Sequence, residues 1–203
     1  RHTCAIADDS TAWCWGENDF GQLGVGDNDD RNAPTQVLLP AGTTPISINA
    51  GGHTTCVILD NGTGLCWGKS DYGHLGDGTY NNRDEPTEIS ILPSNRSLVA
   101  MDLGAGHACG ILDDGTAHCW GNGTFSSGES GGRLGDGSNE SSRFPRSVSL
   151  PSGRNAISID VGVDHTCAIL DDSSAVCWGL NEEGQLGDGT TSTYSMLGPS
   201  SKS

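Results

Sequence analysis

Apolar residues along this chain come in short runs, and each run is closed by residues that favour turns. Four runs are built alike: Cys4-Ala5-Ile6-Ala7, Cys56-Val57-Ile58-Leu59, Cys109-Gly110-Ile111-Leu112 and Cys167-Ala168-Ile169-Leu170. They end in Asp-Asp-Ser, Asp-Asn-Gly, Asp-Asp-Gly and Asp-Asp-Ser, which are turn formers. A second short run then leads back through Cys14, Cys66, Cys119 or Cys177, each followed by Trp-Gly. The pair of runs predicts an antiparallel hairpin. Its first strand is apolar or small on both faces, as in a strand packed on both sides.

After each Trp-Gly comes a polar, glycine-rich loop ending at a Pro, longest in the third copy, and lengthening is cheap in a surface loop. Beyond the Pro a third strand is expected, containing Val37, Ile89 or Val148. A fourth strand shows strict alternation: Ile46, Ile48 and Ala50; Val99, Met101 and Leu103; Ile157, Ile159 and Val161 alternate with Ser47, Asn49, Ala100, Asp102, Ser158 and Asp160. That period of two predicts a half-buried strand.

The first cysteines recur after 52, 53 and 58 residues, a period that marks a solenoid or propeller built from one unit. Four strands per unit make the blade of a β-propeller. The fold class is therefore all-β, with antiparallel four-stranded blades in one array over 1–203: repeats of roughly 1–51, 52–104 and 105–162, and a partial fourth at 163–203. The segment Trp-Gly-x-Asn-x-x-Gly-Gln-Leu-Gly-x-Gly is complete at Trp15 to Gly26 and at Trp178 to Gly189. It resembles the signature of RCC1-like repeats (regulator of chromosome condensation). The second repeat departs with Ser70 for Asn and His74 for Gln, and the third keeps only Trp120-Gly121 and Leu134 to Gly137. The resemblance implies a propeller that usually closes with seven blades. It implies two kinds of activity: a nuclear guanine-nucleotide exchange factor, and secreted propellers that inhibit β-lactamases. An array this short predicts either a piece of a longer chain or completion by another copy, head-to-tail.

Composition narrows the function. Only 33% of residues are apolar, Gly accounts for 31 of 203 and no amphipathic helix is evident, in keeping with a turn-rich β protein. A formal charge of −16 opposes long-range attraction to nucleic acid or to an anionic membrane, and no apolar run is long enough to span one. Arg1-His2-Thr3-Cys4 is not a signal peptide. Eight cysteines in four pairs favour an oxidising compartment, outside the cell or at its surface.

Two chemistries compete for those cysteines. A three-residue turn centred on Asp9 would set Cys4 opposite Cys14, close enough for a disulfide, whereas a four-residue turn would put them out of register. The same holds for Cys56-Cys66, Cys109-Cys119 and Cys167-Cys177. The alternative is zinc, with His2, His107 and His165 two places before a cysteine. Thr54 fills that slot in the second repeat, so the histidines read instead as hydrogen-bonding groups between neighbouring strands, and no metal or other cofactor is expected. Asp77, Asp136 and Asp188 read as turn residues, since each offers one carboxylate where calcium needs six to eight oxygens. Trp15, Trp67, Trp120 and Trp178 are expected to pack between blades; Trp13 is expected at the surface.

Four Asn-x-Ser/Thr sequons, at Asn61, Asn95, Asn122 and Asn139, are candidate glycosylation sites in exposed turns and loops. No nucleophile elbow, P-loop or dinucleotide fingerprint is present, and the histidines and carboxylates recur with the repeat, whereas a catalytic constellation should break that symmetry. The sequence thus points to a non-enzymatic, glycosylated, extracellular structural or adhesive protein, such as a filament or appendage subunit, with other protein chains or its own copies as partners. The alternative is a secreted, inhibitor-like binding module. Exchange-factor activity fits poorly with oxidised cysteines and an acidic surface.

Overall fold

The computed structural model describes residues 1–90, 92–93, 95–124 and 132–191, together with the backbone of 194–198. The extra length of the third loop falls outside these residues. Fifteen strands are present among them: β1 (His2–Ile6), β2 (Ala12–Gly16), β3 (Arg31–Gln36), β4 (Pro45–Gly51), β5 (Thr54–Leu59), β6 (Gly64–Gly68), β7 (Arg83–Glu88), β8 (Leu98–Leu103), β9 (His107–Leu112), β10 (Ala117–Gly121), β11 (Ser142–Ser147), β12 (Ala156–Val161), β13 (His165–Leu170), β14 (Ala175–Gly179) and β15 (Tyr194–Gly198). All pairings are antiparallel. They form one three-stranded sheet, β1-β2-β3, and three four-stranded sheets, β4 to β7, β8 to β11 and β12 to β15. These are propeller blades in an open arc, numbered 1 to 4 below. Blades and sequence repeats are offset by one strand: the fourth strand of each repeat is the innermost strand of the next blade. The fourth repeat carries a third strand, β15, within the stretch where the sequence predicts loop.

Each cysteine hairpin closes with three residues, the last left-handed. In the first, Ala7 and Thr11 pair across Asp8-Asp9-Ser10, with φ 65° at Ser10. This is a turn followed by a bulge residue, which suits the twist of a hairpin. Cys4 therefore lies opposite Cys14, and likewise Cys56 and Cys66, Cys109 and Cys119, Cys167 and Cys177. All four pairs are disulfide-bonded, with Cα atoms 4.1 to 4.2 Å apart.

Two local expectations are corrected. The outer strands begin before the Pro, at Arg31, Arg83 and Ser142, and Pro34, Pro86 and Pro145 sit where the ladder breaks register. Proline has no N–H to give, so an edge-strand bulge is where it fits. Val37, Ile89 and Val148 follow these strands and are buried. The inner strands β4, β8 and β12 each carry a bulge after their first residue, which turns Ile46, Val99 and Ile157 outward at 58%, 56% and 61% exposure. An extra residue flips everything before it to the other face, so strict alternation failed at those three positions.

The core is a stack of three apolar layers, one per blade junction. Leu23 and Val37 meet Val57, Leu59 and Trp67; Leu75 and Ile89 meet Leu98, Leu112 and Trp120; Leu134 and Val148 meet Ala156, Leu170 and Trp178. Each tryptophan is anchored in the blade before it. The indole N–H groups of Trp67, Trp120 and Trp178 donate to the carbonyls of Gln22, His74 and Arg133 at 2.9 to 3.0 Å. Gly24, Gly76 and Gly135, with φ of 64° to 68°, leave room for them: a Cβ there would lie 2.6 to 2.9 Å from an indole nitrogen. Trp15, in the first blade of the described arc, is only half-buried.

Candidate functional site

The blade junctions are repetitive, and where the repetition fails a cavity opens. The regular pattern is clearest in the histidine slot two places before the first cysteine. His2 Nε2 lies 2.7 Å from Thr55 Oγ1 of the next blade, and His107 Nε2 lies 2.9 Å from Thr166 Oγ1. The Thr55 hydroxyl donates to the Gln22 carbonyl at 2.7 Å, so it accepts from His2 Nε2–H. The imidazoles thus latch one blade to the next. In blade 2 the histidine is Thr54, and its counterpart threonine in blade 3 is Ala108: both halves of that latch are missing together.

Three other repeat positions depart at the same place. Three residues before the first cysteine the chain has Arg1, His53, Gly106 and Asp164. Two residues after the Trp it has Glu17, Lys69, Asn122 and Leu180, and between the signature Gly and Leu it has Gln22, His74, Arg133 and Gln185. A cavity of about 270 Å³ is lined by His53 and Thr54, by Lys69, Tyr72 and His74 in the loop after β6, by Ala105 and Gly106 between β8 and β9, by Asn122 and Arg133 after β10, and by Val163 and Asp164 between β12 and β13. Four columns of variable residues, drawn from three blades, meet here. Each is conspicuous only against its repeat partners, so sequence reasoning passed over them.

The site is polar and tightly paired. Lys69 Nζ is 2.8 Å from Asp71 and 4.9 Å from the Phe20 ring centre, Arg133 bonds Asp164, and His53 Nδ1 is 3.7 Å from Glu17. Tyr72 meets the His74 ring edge-on at 5.7 Å. Burial lowers the His74 pKa to about 4, with Asp71 opposing the shift. His107 is pushed down to about 3 by burial, then by Arg133 and the neighbouring His74 and His165. Both rings are therefore neutral at physiological pH, and two cations share the cavity with His74.

The residues singled out from sequence disperse around this site. Asn122 lines the cavity and is half-buried, not exposed as its sequon led one to expect. Exposed Asn61 and Asn95 border a second cavity of about 240 Å³ near the hairpin turn of blade 2, and Asn139 lies exposed in the third loop. Asp77, Asp136 and Asp188 each accept the backbone N–H two residues on, from Thr79, Ser138 and Thr190; Arg83 and Arg146 also hold the first two. Trp13 is half-buried, its indole N–H donating to Thr11 Oγ1 at 2.6 Å. The signature Asn is explained by its geometry: buried Asn18 accepts from Leu23 N and donates to the carbonyls of Asp27 and Asp29, folding the loop back on itself.

The family described as regulator of chromosome condensation (RCC1) repeat matches residues 9–58, 61–111 and 114–169, and a second profile of that description matches 98–127 and 156–185. The chain belongs to the RCC1-repeat family. Among curated relatives, the E3 ubiquitin-protein ligase HERC2 of Homo sapiens is 31% identical over 94% of the chain but only 4% of its own length. The ultraviolet-B receptor UVR8 of Arabidopsis thaliana is 29% identical over 93% of the chain and 41% of its own. Human WBSCR16 superposes with a TM-score of 0.84 at 21% identity, over 98% of this chain and 50% of that one. Yeast RCC1 (Prp20), solved bound to Kap60, does so with 0.77 at 24%, over 98% and 46%. The chain thus spans less than half the length of the curated relatives, and its RCC1 blades are what it shares with them.

Proposed function

We propose that this RCC1-repeat chain is a non-catalytic protein-binding module working outside the cell, with the face around the asymmetric cavity as its contact surface. The observation that carries this reading is the convergence on one cavity of four repeat positions, two that break a residue kept in other repeats and two that differ in every repeat, since residues kept only for the scaffold would follow the repeat. Prp20, a structural neighbour, is described by its binding to Gsp1p and histones and is solved with Kap60, so the fold presents protein-binding surfaces elsewhere. Four disulfides, with Cys56-Cys66 and Cys109-Cys119 fully buried, suit an oxidising compartment, and exposed Asn61, Asn95 and Asn139 suit glycans. The charge of −16 weighs against nucleic acid.

Binding of the chain to extracellular proteins of its source, with Tyr72→Ala and Lys69→Glu compared with Arg154→Ala away from the cavity, tests this. Loss with the first two variants alone is expected; equal binding by all three would overturn it. A second reading, a structural or adhesive subunit that assembles head-to-tail, draws on the end blades. β1 is half-exposed, whereas β5 and β9 are buried throughout. A further blade would cover that face, from a continuing chain or another copy. Sedimentation of the purified chain separates the two readings: concentration-dependent growth supports assembly, and a constant monomer removes it.

A further inference from the structure

Gly106 stands where the other blades carry Arg1, His53 and Asp164, so one side chain is missing from an otherwise filled position. A Cβ built on Gly106 would lie 3.4 Å from His74 Nε2 and 3.9 Å from Asn122 Nδ2, which therefore converge on the space the side chain leaves. Asn122 is oriented by its neighbours. Its Oδ1 accepts from Thr124 N at 2.9 Å, from Thr124 Oγ1 at 3.0 Å and from Ser141 Oγ at 3.3 Å. A backbone N–H can only donate, so the carboxamide oxygen is fixed on the loop side and the NH₂ group faces Gly106. His74, 7% exposed, forms another wall. Lys69 and Arg133 complete a lining rich in hydrogen-bond donors, each held in place by an aspartate.

We infer that this cavity receives the carboxylate of a glutamate or aspartate side chain presented by a protein partner, a refinement that rests on the protein-binding reading above. A donor from Asn122, joined by His74 Nε2–H once an anion beside it favours the protonated ring, with two cations nearby, matches an acceptor-only oxygen pair. The exposed Tyr72 and Val163, at 48% and 63%, flank the opening and suit the aliphatic stem of such a side chain. The source of the carboxylate follows from charge. The field of a chain at −16 repels a free anion at a distance, so an anionic head is better delivered on a docked protein surface than captured from solution.

The test uses the whole isotope-labelled chain and a minimal probe, N-acetylglutamate N-methylamide, with the glutamine analogue and inorganic phosphate as separate arms. Saturable changes at the Asn122 side-chain amide and the His74 ring are expected with the glutamate probe, together with a rise of about one unit or more in the His74 titration midpoint. Gly106→Leu, which fills the space, and Asn122→Asp, which places a like charge there, should each weaken binding at least about tenfold while leaving distant signals in place. Gly106 has no left-handed φ and a Cβ there makes ordinary contacts, so a filling side chain meets no backbone strain. Equal binding of the glutamine analogue, binding of phosphate alone, or full binding by Gly106→Leu would each overturn the assignment. Because the probe requires no partner, probe binding without face-dependent protein capture would sink the binding-module reading and leave the cavity as a site for a free carboxylate. Capture without probe binding would sink only the carboxylate assignment.

Discussion

At the scale of residues, the histidines carry the most consequence. His107 is 2% exposed, held neutral by burial, and bonded to Thr166 across a blade junction. His2, His74 and His107 have folded-state pKa values of about 4, 4 and 3, below the 6.5 expected in the unfolded chain. Their contribution is therefore complete above pH 6.5. It declines as the pH falls below 6.5, because the unfolded chain takes up protons first, and the decline ends near pH 4 for His2 and His74 and near pH 3 for His107. For His107 alone the linkage is on the order of 5 kcal/mol. Urea midpoints at pH 7, 6 and 5 should fall steadily for the native chain and less steeply for His107→Gln, which cannot titrate; identical slopes would refute the assignment. A cycle of Thr54→His with Ala108→Thr should restore the missing latch. The pair is expected to couple by about 0.5 to 1.5 kcal/mol beyond the two single changes, measured by equilibrium unfolding. The histidine slot was legible in the sequence as a hydrogen-bonding position. Its partner was not, because the threonine belongs to the next repeat and only the folded arc brings the two together.

At the scale of elements, hairpin and junction depend on different features. The hairpin is set by its three-residue turn and clasped by its disulfide. Replacing Cys109 and Cys119 together by Ala should lower stability by about 3 kcal/mol on the chain-entropy estimate, read as a shift in the denaturation midpoint. The junction depends on a glycine facing an indole. Gly76→Ala would bring a methyl group 2.9 Å from Trp120 Nε1 at a φ of 66°, so a loss of about 1 to 3 kcal/mol is expected, with altered Trp120 fluorescence as a local check. Turns, the cysteine register and the tryptophan packing were readable in the sequence because each is local or recurs in phase. The bulges at Ile46, Val99 and Ile157 were hidden, since an inserted residue leaves the alternation of letters intact while changing which face each side chain takes.

For the whole molecule, charge and arrangement dominate. With 26 acidic side chains against 10 basic ones, self-repulsion opposes compaction, so raising ionic strength from low to physiological should raise the melting temperature; a fall would show that the ion pairs outweigh the repulsion. The propeller class was plain from four copies of one pattern. The cavity was not, since its walls come from His53, His74, Gly106, Asn122, Arg133 and Asp164, scattered over three blades and individually ordinary. Latch and indole alike are made of one half from each of two neighbouring blades, and the empty latch at Thr54 and Ala108 is empty on both sides. The heritable module in such an array is therefore the seam and not the blade. Duplicating or reordering single blades would match a histidine to an alanine or strand a threonine, so recombination keeps every latch where the crossover runs through the middle of a sheet and carries a seam across intact.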